Sequence, residues 1–474
     1  MFGKTTIKDV TNMDVAVSDK MSQEIELWMN MYQELAPWLA PPYMRSLNIP
    51  AYIAGTFAQW ATSELEVTIE GSPRADYIAE QMKPVLRALQ DYVEYAAAGG
   101  GLVYKPYPVI DGATVEVDYT QAPDFFPISF NSRGEITDAV FIETRIVGKT
   151  YFRRLERHSL VKRMYTVTNL AYESFDENYL GKEIPLATVD DWADLLPEIK
   201  IGGLTRPLFA YLKMPGANAI DTRSPLGVSM FSRATNLIED ADRQYTRLLW
   251  EYEGGEMAIE ASRDIFPQDE HGKPIIPAGR ERLFRPNEID SNASGKGAEL
   301  IKVHAPTLRD ASYRSGLYDI LKQIEDKCGM ARGTITDPVN AAKTATEIKM
   351  MQQPSYITIS KLQQNIEDAL EHLIYIIDKY ATLYHLAPSG KITTTYKWDD
   401  SVITDTESER MRDKDDVAAG LMQKWEYRVK WYGEDEATAK KMVGYVENEE
   451  PDEDPDPFGL DKPDPKAPKK KVAE

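Results

Sequence analysis

The sequence predicts an α+β protein, predominantly helical, in which one very long helix follows a polar loop. Three observations lead there. Apolar side chains recur at Ile348, Met351, Ile359, Leu362, Ile366, Leu370, Leu373, Ile377, Tyr380 and Tyr384, mostly in steps of three and four that keep one stripe on one face. Segments of β-branched and aromatic residues cluster between Thr114 and Asn169, the composition of strands broken by turns. At 474 residues the chain exceeds the size at which a single hydrophobic core keeps growing, so several subdomains are expected.

Taken in order, Lys20 to Trp38 has helical spacing through Met21, Ile25, Trp28, Met29, Tyr32 and Leu35. Ile49 to Leu65 continues helical, and Leu65 to Ile69 then alternates like a strand. Ala75 to Ala98 is helical again, with Pro84 as a candidate break. Gly99 to Gly101 stops that helix and a strand begins. Thr114–Tyr119, Ala139–Val147, Thr150–His158 and Leu160–Asn169 form the strand group, and Val189 to Leu196 is a short helix or loop. Residues 1–222 thus read as one α+β region.

Helical periodicity returns from Ser224 to Glu253, with Pro225 acceptable in a first turn and Gly254-Gly255 as the stop. Short strand-like pieces come next at Met257–Ile259, Arg282–Phe284 and Leu300–Val303; pieces this short are expected to need a partner sheet. A second helical pattern runs from Pro306 to about Met330. Thr344 and Glu347 have the spacing of a capping box, in which the Thr oxygen and the Glu carboxylate satisfy each other's orphan amides. A helix is therefore expected from Thr344 to about residue 386, roughly 60 Å at 1.5 Å per residue. A helix that long normally builds an elongated assembly rather than a compact core. Pro354 within it is expected to kink it. Asp413 to Tyr445 carries Val417, Leu421, Trp425 and Val429 at helical spacing, and 447–474 is too charged and too rich in proline to bury a core, so it is expected to be disordered.

Composition narrows the function. There are 76 Asp and Glu against 55 Lys and Arg, a net charge of -21, which argues against an ordinary nucleic-acid-binding domain, since phosphate affinity comes from Lys and Arg. The single cysteine, Cys328, forbids an intrachain disulfide and fits assembly in a reducing cytosol; it lies on the apolar side of a helix and reads as a small buried hydrophobe. No run of about 18 apolar residues exists to span a bilayer, and no secretory signal is visible. Catalytic chemistry finds no foothold. Gly99–Gly101 and Ser294-Gly-Lys-Gly297 lack the Walker spacing. The five histidines never pair at metal-ligand spacing. Adjacent acids such as Asp190/Asp191 and Asp399/Asp400 are expected by chance in so acidic a chain. The expectation is a protein that is not an enzyme, with no cofactor and no metal.

The segment Gly333-Thr-Ile-Thr-Asp-Pro-Val-Asn-Ala-Ala-Lys-Thr-Ala-Thr-Glu-Ile348 resembles the tunnel loop and following long helix of tailed-phage portal proteins, of the siphophage type. Ser224-Pro-Leu-Gly-Val-Ser-Met-Phe231 with Ile238, Asp242, Tyr245 and Leu249 is similar to the helix entering the portal stem. Pro306 to Leu321 and Ile324 to Gly333 are similar to the returning stem helix, and Trp398–Asp405 and Ala419–Met422 to the family's segments beyond the long helix. These pieces keep the family's order over residues 224 to 432.

The resemblance implies a portal fold: a wing (1–222), a stem helix (223–257), a clip (258–305), a returning stem helix (306–331), a tunnel loop (332–343), a long kinked wing helix (344–386), a wing strand or loop (387–412), crown helices (413–446) and a charged tail (447–474). It implies a homo-oligomeric ring of twelve copies at the unique capsid vertex of the virion, assembled in the host cytoplasm with scaffolding protein and major capsid protein. Terminase and later head-completion or adaptor proteins would dock on the clip, where Arg282, Phe284, Leu300 and Val303 lie. Double-stranded DNA would pass through the channel during packaging and ejection, with Arg332, Thr334, Asp337, Asn340 and Lys343 facing it from the loop. For a conduit the acidic balance makes sense, because each strong phosphate contact would hold a duplex that has to move. The alternative is another structural or scaffolding protein of the head-tail junction without a DNA channel.

Overall fold

The computed structural model describes residues 7–8, 14–40, 43–109, 113–262, 266–276, 283–287, 301–337, 345–398 and 406–448. Two compact units divide the chain, residues 1–400 and 401–474.

The first unit opens with helices α1 (Asp19–Tyr32) and α2 (Ile49–Thr62), strand β1 (Leu65–Glu70), and helices α3 (Pro73–Arg87) and α4 (Leu89–Gly99). Ser18 caps α1 and Ser72 caps α3, each hydroxyl accepting the amide three residues on. The expected Ala75–Ala98 helix is two helices. Pro84 stays inside α3 and the chain bends at Ala88, four residues later, where φ and ψ leave helical values.

Strands β2 (Gly101–Val109), β3 (Thr114–Gln121), β4 (Phe125–Phe130), β5 (Ile136–Val147), β6 (Thr150–Val161), β7 (Met164–Ser174), β8 (Lys182–Ile184), β9 (Glu198–Gly202) and β10 (Ala210–Lys213) come next. They form a three-stranded sheet in the order β10-β2-β3 and a six-stranded antiparallel sheet, β4-β5-β6-β7-β8 with β9 also on β7. The expected strand Leu160–Asn169 is wrong: a two-residue turn, Lys162-Arg163, interrupts it with both φ angles positive (49° and 68°). Two basic residues in the left-handed region give no turn signal in sequence, because Asn or Gly ordinarily marks such a turn. Val189 to Leu196 contains a short 3₁₀ turn at Asp190–Trp192, with Trp192 buried.

Helix α5 (Thr235–Gly254) starts eleven residues after the expected Ser224. Residues 224–234 run as irregular chain and turns because their backbone packs directly on the end of α4. Gly227 lies so close to Gly100 that a Cβ there would meet its carbonyl oxygen at 2.2 Å, and the Met230 amide donates to Ala97. Strands β11 (Ala258–Ser262), β12 (Phe284–Asn287) and β13 (Ile301–His304) form a sheet ordered β12-β11-β13, parallel on one side and antiparallel on the other. Helix α6 (Asp310–Cys328) then returns antiparallel along α5: Glu251 meets Arg309 and, farther along, Gln244 donates to the carbonyl of Tyr313.

Helix α7 (Ala345–Leu383) is the predicted long helix, beginning one residue after Thr344 and running through Pro354. Its second half buries more than a stripe: Leu362, Ile366, Leu370, Leu373, Ile376 and Ile377 have no exposure, and Ile374 is also buried. The expectation that so long a helix avoids a compact core is therefore wrong for this half, which packs against α2, α3, β2, β3 and β10. Strand β14 (Thr393–Trp398) pairs antiparallel with β1, joining Leu65 to Trp398.

In the second unit the helices expected over 413–446 are α8 (Thr406–Ala418), α9 (Lys424–Tyr432) and α10 (Glu436–Asn448); α8 begins earlier than expected, so the 387–412 strand-or-loop region also ends in helix. Gly420 and Gly433, both at positive φ, stop the first two. Glu426 reaches back to the amide of Gln423 in a capping box that opens α9. Residues 449–474 lie outside the described residues.

Candidate functional site

The loop between α6 and α7 is built from the end of α6. Gly329 closes that helix in the left-handed conformation (φ 72°), and a side chain there would collide with the Thr358 hydroxyl of α7 at 2.7 Å. The Ala331 amide donates to Ser355 Oγ at 2.7 Å, and Thr358 donates to the carbonyl of Pro354, with a longer approach to Gly329. Proline at 354 and the hydroxyls at 355 and 358 therefore make the α7 surface that receives the loop root.

Glu325, in the last turn of α6, has no solvent exposure. Its Oε1 accepts the amides of Gly333 (3.1 Å), Ile335 (2.6 Å) and Thr336 (2.9 Å), and the Thr336 hydroxyl donates to Oε2 at 3.1 Å. Gly333, at φ 95°, lets the chain curl so that these amides converge on one oxygen. Two tyrosines hold the carbonyl side of the same segment: Tyr52 of α2 donates to Thr334 O and Tyr318 of α6 donates to Asp337 O, at 2.8 and 2.7 Å.

The predicted loop residues fall out differently. Arg332 is exposed, but its guanidinium grips the Asp326 carboxylate with two hydrogen bonds of 3.0 and 2.8 Å, which hold the Asp326 carboxyl below its usual range. The Thr334 hydroxyl turns back to the Ala331 carbonyl at 2.6 Å. The backbone of Asp337 is held while the residue itself is exposed. Asn340, Lys343 and the capping Thr344 lie outside the described residues, as do Arg282 and Leu300; Glu347 is in the first turns of α7, and its side chain is also outside them. Of the clip candidates, Phe284 stacks edge-on with Phe266 at 6.0 Å, and Val303 is 57 % exposed on β13.

Sequence reading missed Glu325, Tyr52 and Tyr318. An acid in the last turn of a helix does carry one signal, since it opposes the helix dipole and so needs another partner. The α5/α6 pair has its own polar seam: Arg309 grips Glu251 through backbone and side chain, and Tyr252 accepts from Arg314. Buried Asp242 of α5 accepts Trp38 Nε1 (3.0 Å) and the Leu47 amide (2.8 Å), pinning both residues to the same helix. Cys328 is buried, and burial pushes its thiol up to about 12, leaving it inert. Among the described residues no group of His, Cys, Asp and Glu could hold a metal ion, and no helix is long and apolar enough to cross a membrane.

The described elements are thus a helix pair flanking a small sheet, then an anchored loop root and a helix of 39 residues. Residues 84–416 match the family model described as phage portal protein, SPP1 Gp6-like. The chain belongs to this phage portal family, whose members are structural proteins of the head-tail connector in a virion. Similar solved structures include the neck of an empty gene transfer agent particle computed with C6 symmetry (10% identity, 90% of this chain and 97% of that chain, TM-score 0.47). The neck of a native particle computed with C12 symmetry is also similar (10%, 90% and 98%, 0.46), as is the virion of the native particle (12%, 86% and 92%, 0.45). No curated protein matches significantly.

Proposed function

We propose that this chain forms a closed ring of twelve copies at the unique capsid vertex and conducts double-stranded DNA during packaging and ejection. In this reading α5 and α6 are the stem, the β11–β13 sheet lies in the clip, residues 332–343 are the tunnel loop, α7 with the N-terminal region is the wing, and α8–α10 are the crown. Terminase docks on the clip and supplies the ATP hydrolysis; head-completion proteins take its place later. Scaffolding and major capsid proteins contact the ring during shell assembly. The portal contributes geometry and an acidic surface, not chemistry.

One observation carries the proposal: the loop beyond the stem pair has a root fixed to α2, α6 and α7, as a projection into a channel requires. The net charge of -21 agrees with it, because a lumen that repels phosphate lets a duplex slide. Single-particle electron microscopy of the purified protein tests the reading. A closed ring of about twelve subunits with a hole wide enough for a duplex is expected, closure being what a conduit needs. A monomer, dimer or open filament at every salt concentration overturns it.

A further inference from the structure

We propose that Glu325 is the positioning residue of the channel loop, holding the loop root from Gly333 to Thr336 in the one geometry from which the loop is presented. The inference rests on the portal reading and adds to it the group that holds the loop root. A carboxylate in the last turn of α6 is unfavourable to the helix itself, since it faces the negative end of the dipole. It is also fully buried, which is costly for an acid unless donors surround it. The loop root provides those donors: three backbone amides and one hydroxyl, all from Gly333 to Thr336. The acid's hydrogen bonds go to the loop, which gains a partner for amides that no sheet or helix satisfies.

The consequence is mechanical. Glu325 holds the amides, Tyr52 and Tyr318 hold the carbonyls of Thr334 and Asp337, and Ser355 holds the Ala331 amide. The backbone from Ala331 to Asp337 is thereby tied to α2, α6 and α7, so a shift of α6 carries the loop root with it. The described part of the loop root has no independent movement of its own. Arg332, on the tied segment and paired with Asp326, is part of the mount and not a free phosphate contact.

The test compares Glu325→Ala with Glu325→Gln in the assembled ring. A glutamine keeps an oxygen where Oε1 accepts the three amides; alanine keeps none. Hydrogen exchange at Gly333, Ile335 and Thr336 is expected to rise roughly tenfold or more in the alanine variant and to stay within about threefold of wild type in the glutamine variant. The dwell time of a linear duplex driven by voltage through the ring, seated in a solid-state pore, should change in the alanine variant and recover in the glutamine one. Unchanged exchange at the three amides, or faster exchange with an unchanged dwell time, overturns the proposal. If the alanine variant does not assemble, Thr336→Val removes the hydroxyl bond alone and must show the same exchange response, smaller in size; no response overturns the proposal. Failure of the wild-type ring to form or to admit DNA sinks the portal reading instead, and the exchange result then still decides whether Glu325 anchors the root.

Discussion

The two ends of the long helix are held by opposite charges. Before α7, the buried Glu325 gathers amide groups; after it, the buried Arg74 gathers carbonyls. Arg74, the second residue of α3, is 1 % exposed. Its guanidinium donates to the carbonyls of Asp378 (2.9 Å), Ala387 (2.6 Å) and Pro388 (3.1 Å) and to the Thr382 hydroxyl (3.0 Å). Each charge suits what it meets, since helix C-termini leave carbonyls without partners and favour cations. The difference lies in what is gripped. Arg74, itself buried, clamps the helix and the chain leaving it. Glu325 clamps only the loop that approaches the helix, and its hold ends at Thr336. One end is fixed as part of the helix; the other is fixed as the root of the loop that precedes it.

Breaking the middle of α7 should have the largest effect. Leu370→Pro removes a backbone hydrogen bond, clashes with the preceding turn and empties a site with no solvent exposure, at a cost of more than about 3 kcal/mol. Soluble ring should be lost in size-exclusion chromatography; a normal ring would mean that α7 is not the core helix described. Arg74→Met comes next. It takes the donor from several part-buried carbonyls and leaves Asp378 without its guanidinium, so a loss on the order of 3 kcal/mol is expected in denaturant unfolding. Arg74→Lys should recover little, because an ammonium cannot span the same fork of acceptors. A midpoint unchanged in both would show that the C-terminal clamp is ornamental.

A pH series sharpens the comparison on the buried half of α7. His372 is buried against the carbonyl of Pro207 at 2.9 Å. Burial, with the Arg206 charge adding to it, pushes its imidazole down to about 3 against the weaker pull of that carbonyl. The folded state thus disfavours the proton that the unfolded chain accepts near its ordinary value. His372 costs nothing above about pH 6.5, and stability is lost as pH falls below it, by roughly 3 kcal/mol near pH 4. His372→Gln, which still offers a donor to Pro207, should flatten that part of the curve; identical acid curves for the two proteins would refute the assignment. The smallest effect is expected at the loop. Asp337→Ala touches an exposed side chain whose backbone carbonyl alone is bonded to Tyr318, so ring mass and unfolding should stay within about 0.5 kcal/mol of wild type while DNA dwell time changes, and Asn340→Ala should behave alike. Loss of assembly in either would remove the loop from the channel.

Much of this organisation is written locally. The 3.6-residue period from Ile359 to Tyr380 locates α7 because one face has to leave water whatever it meets. Gly99 to Gly101 foretell the end of α4 because Gly100 adopts φ 91°, which a side chain resists. The resemblance of residues 224 to 432, segment by segment and in the family's order, pointed to the portal family. Local signals failed where the deciding partner is far away in sequence. Residues 224–234 carry a helical pattern, yet their contact with Gly100 keeps them out of a helix. Lys162-Arg163 turns without a turn residue because the two long strands on either side determine its geometry. β1 finds its partner only in β14, more than three hundred residues on.

By itself, then, the sequence determined most of the helix and strand segments and the approximate length of α7, because periodicity, caps and turn glycines act over a few residues, while the family came from the resemblance of its segments to portal proteins. Only the tertiary structure decided which charges matter. Glu325 and Arg74 look in sequence like any acid and base on an amphipathic helix. Burial separates them from the exposed Arg332–Asp326 pair, since a charge removed from water must find its partners in the fold, and those partners are backbone groups that sequence does not mark.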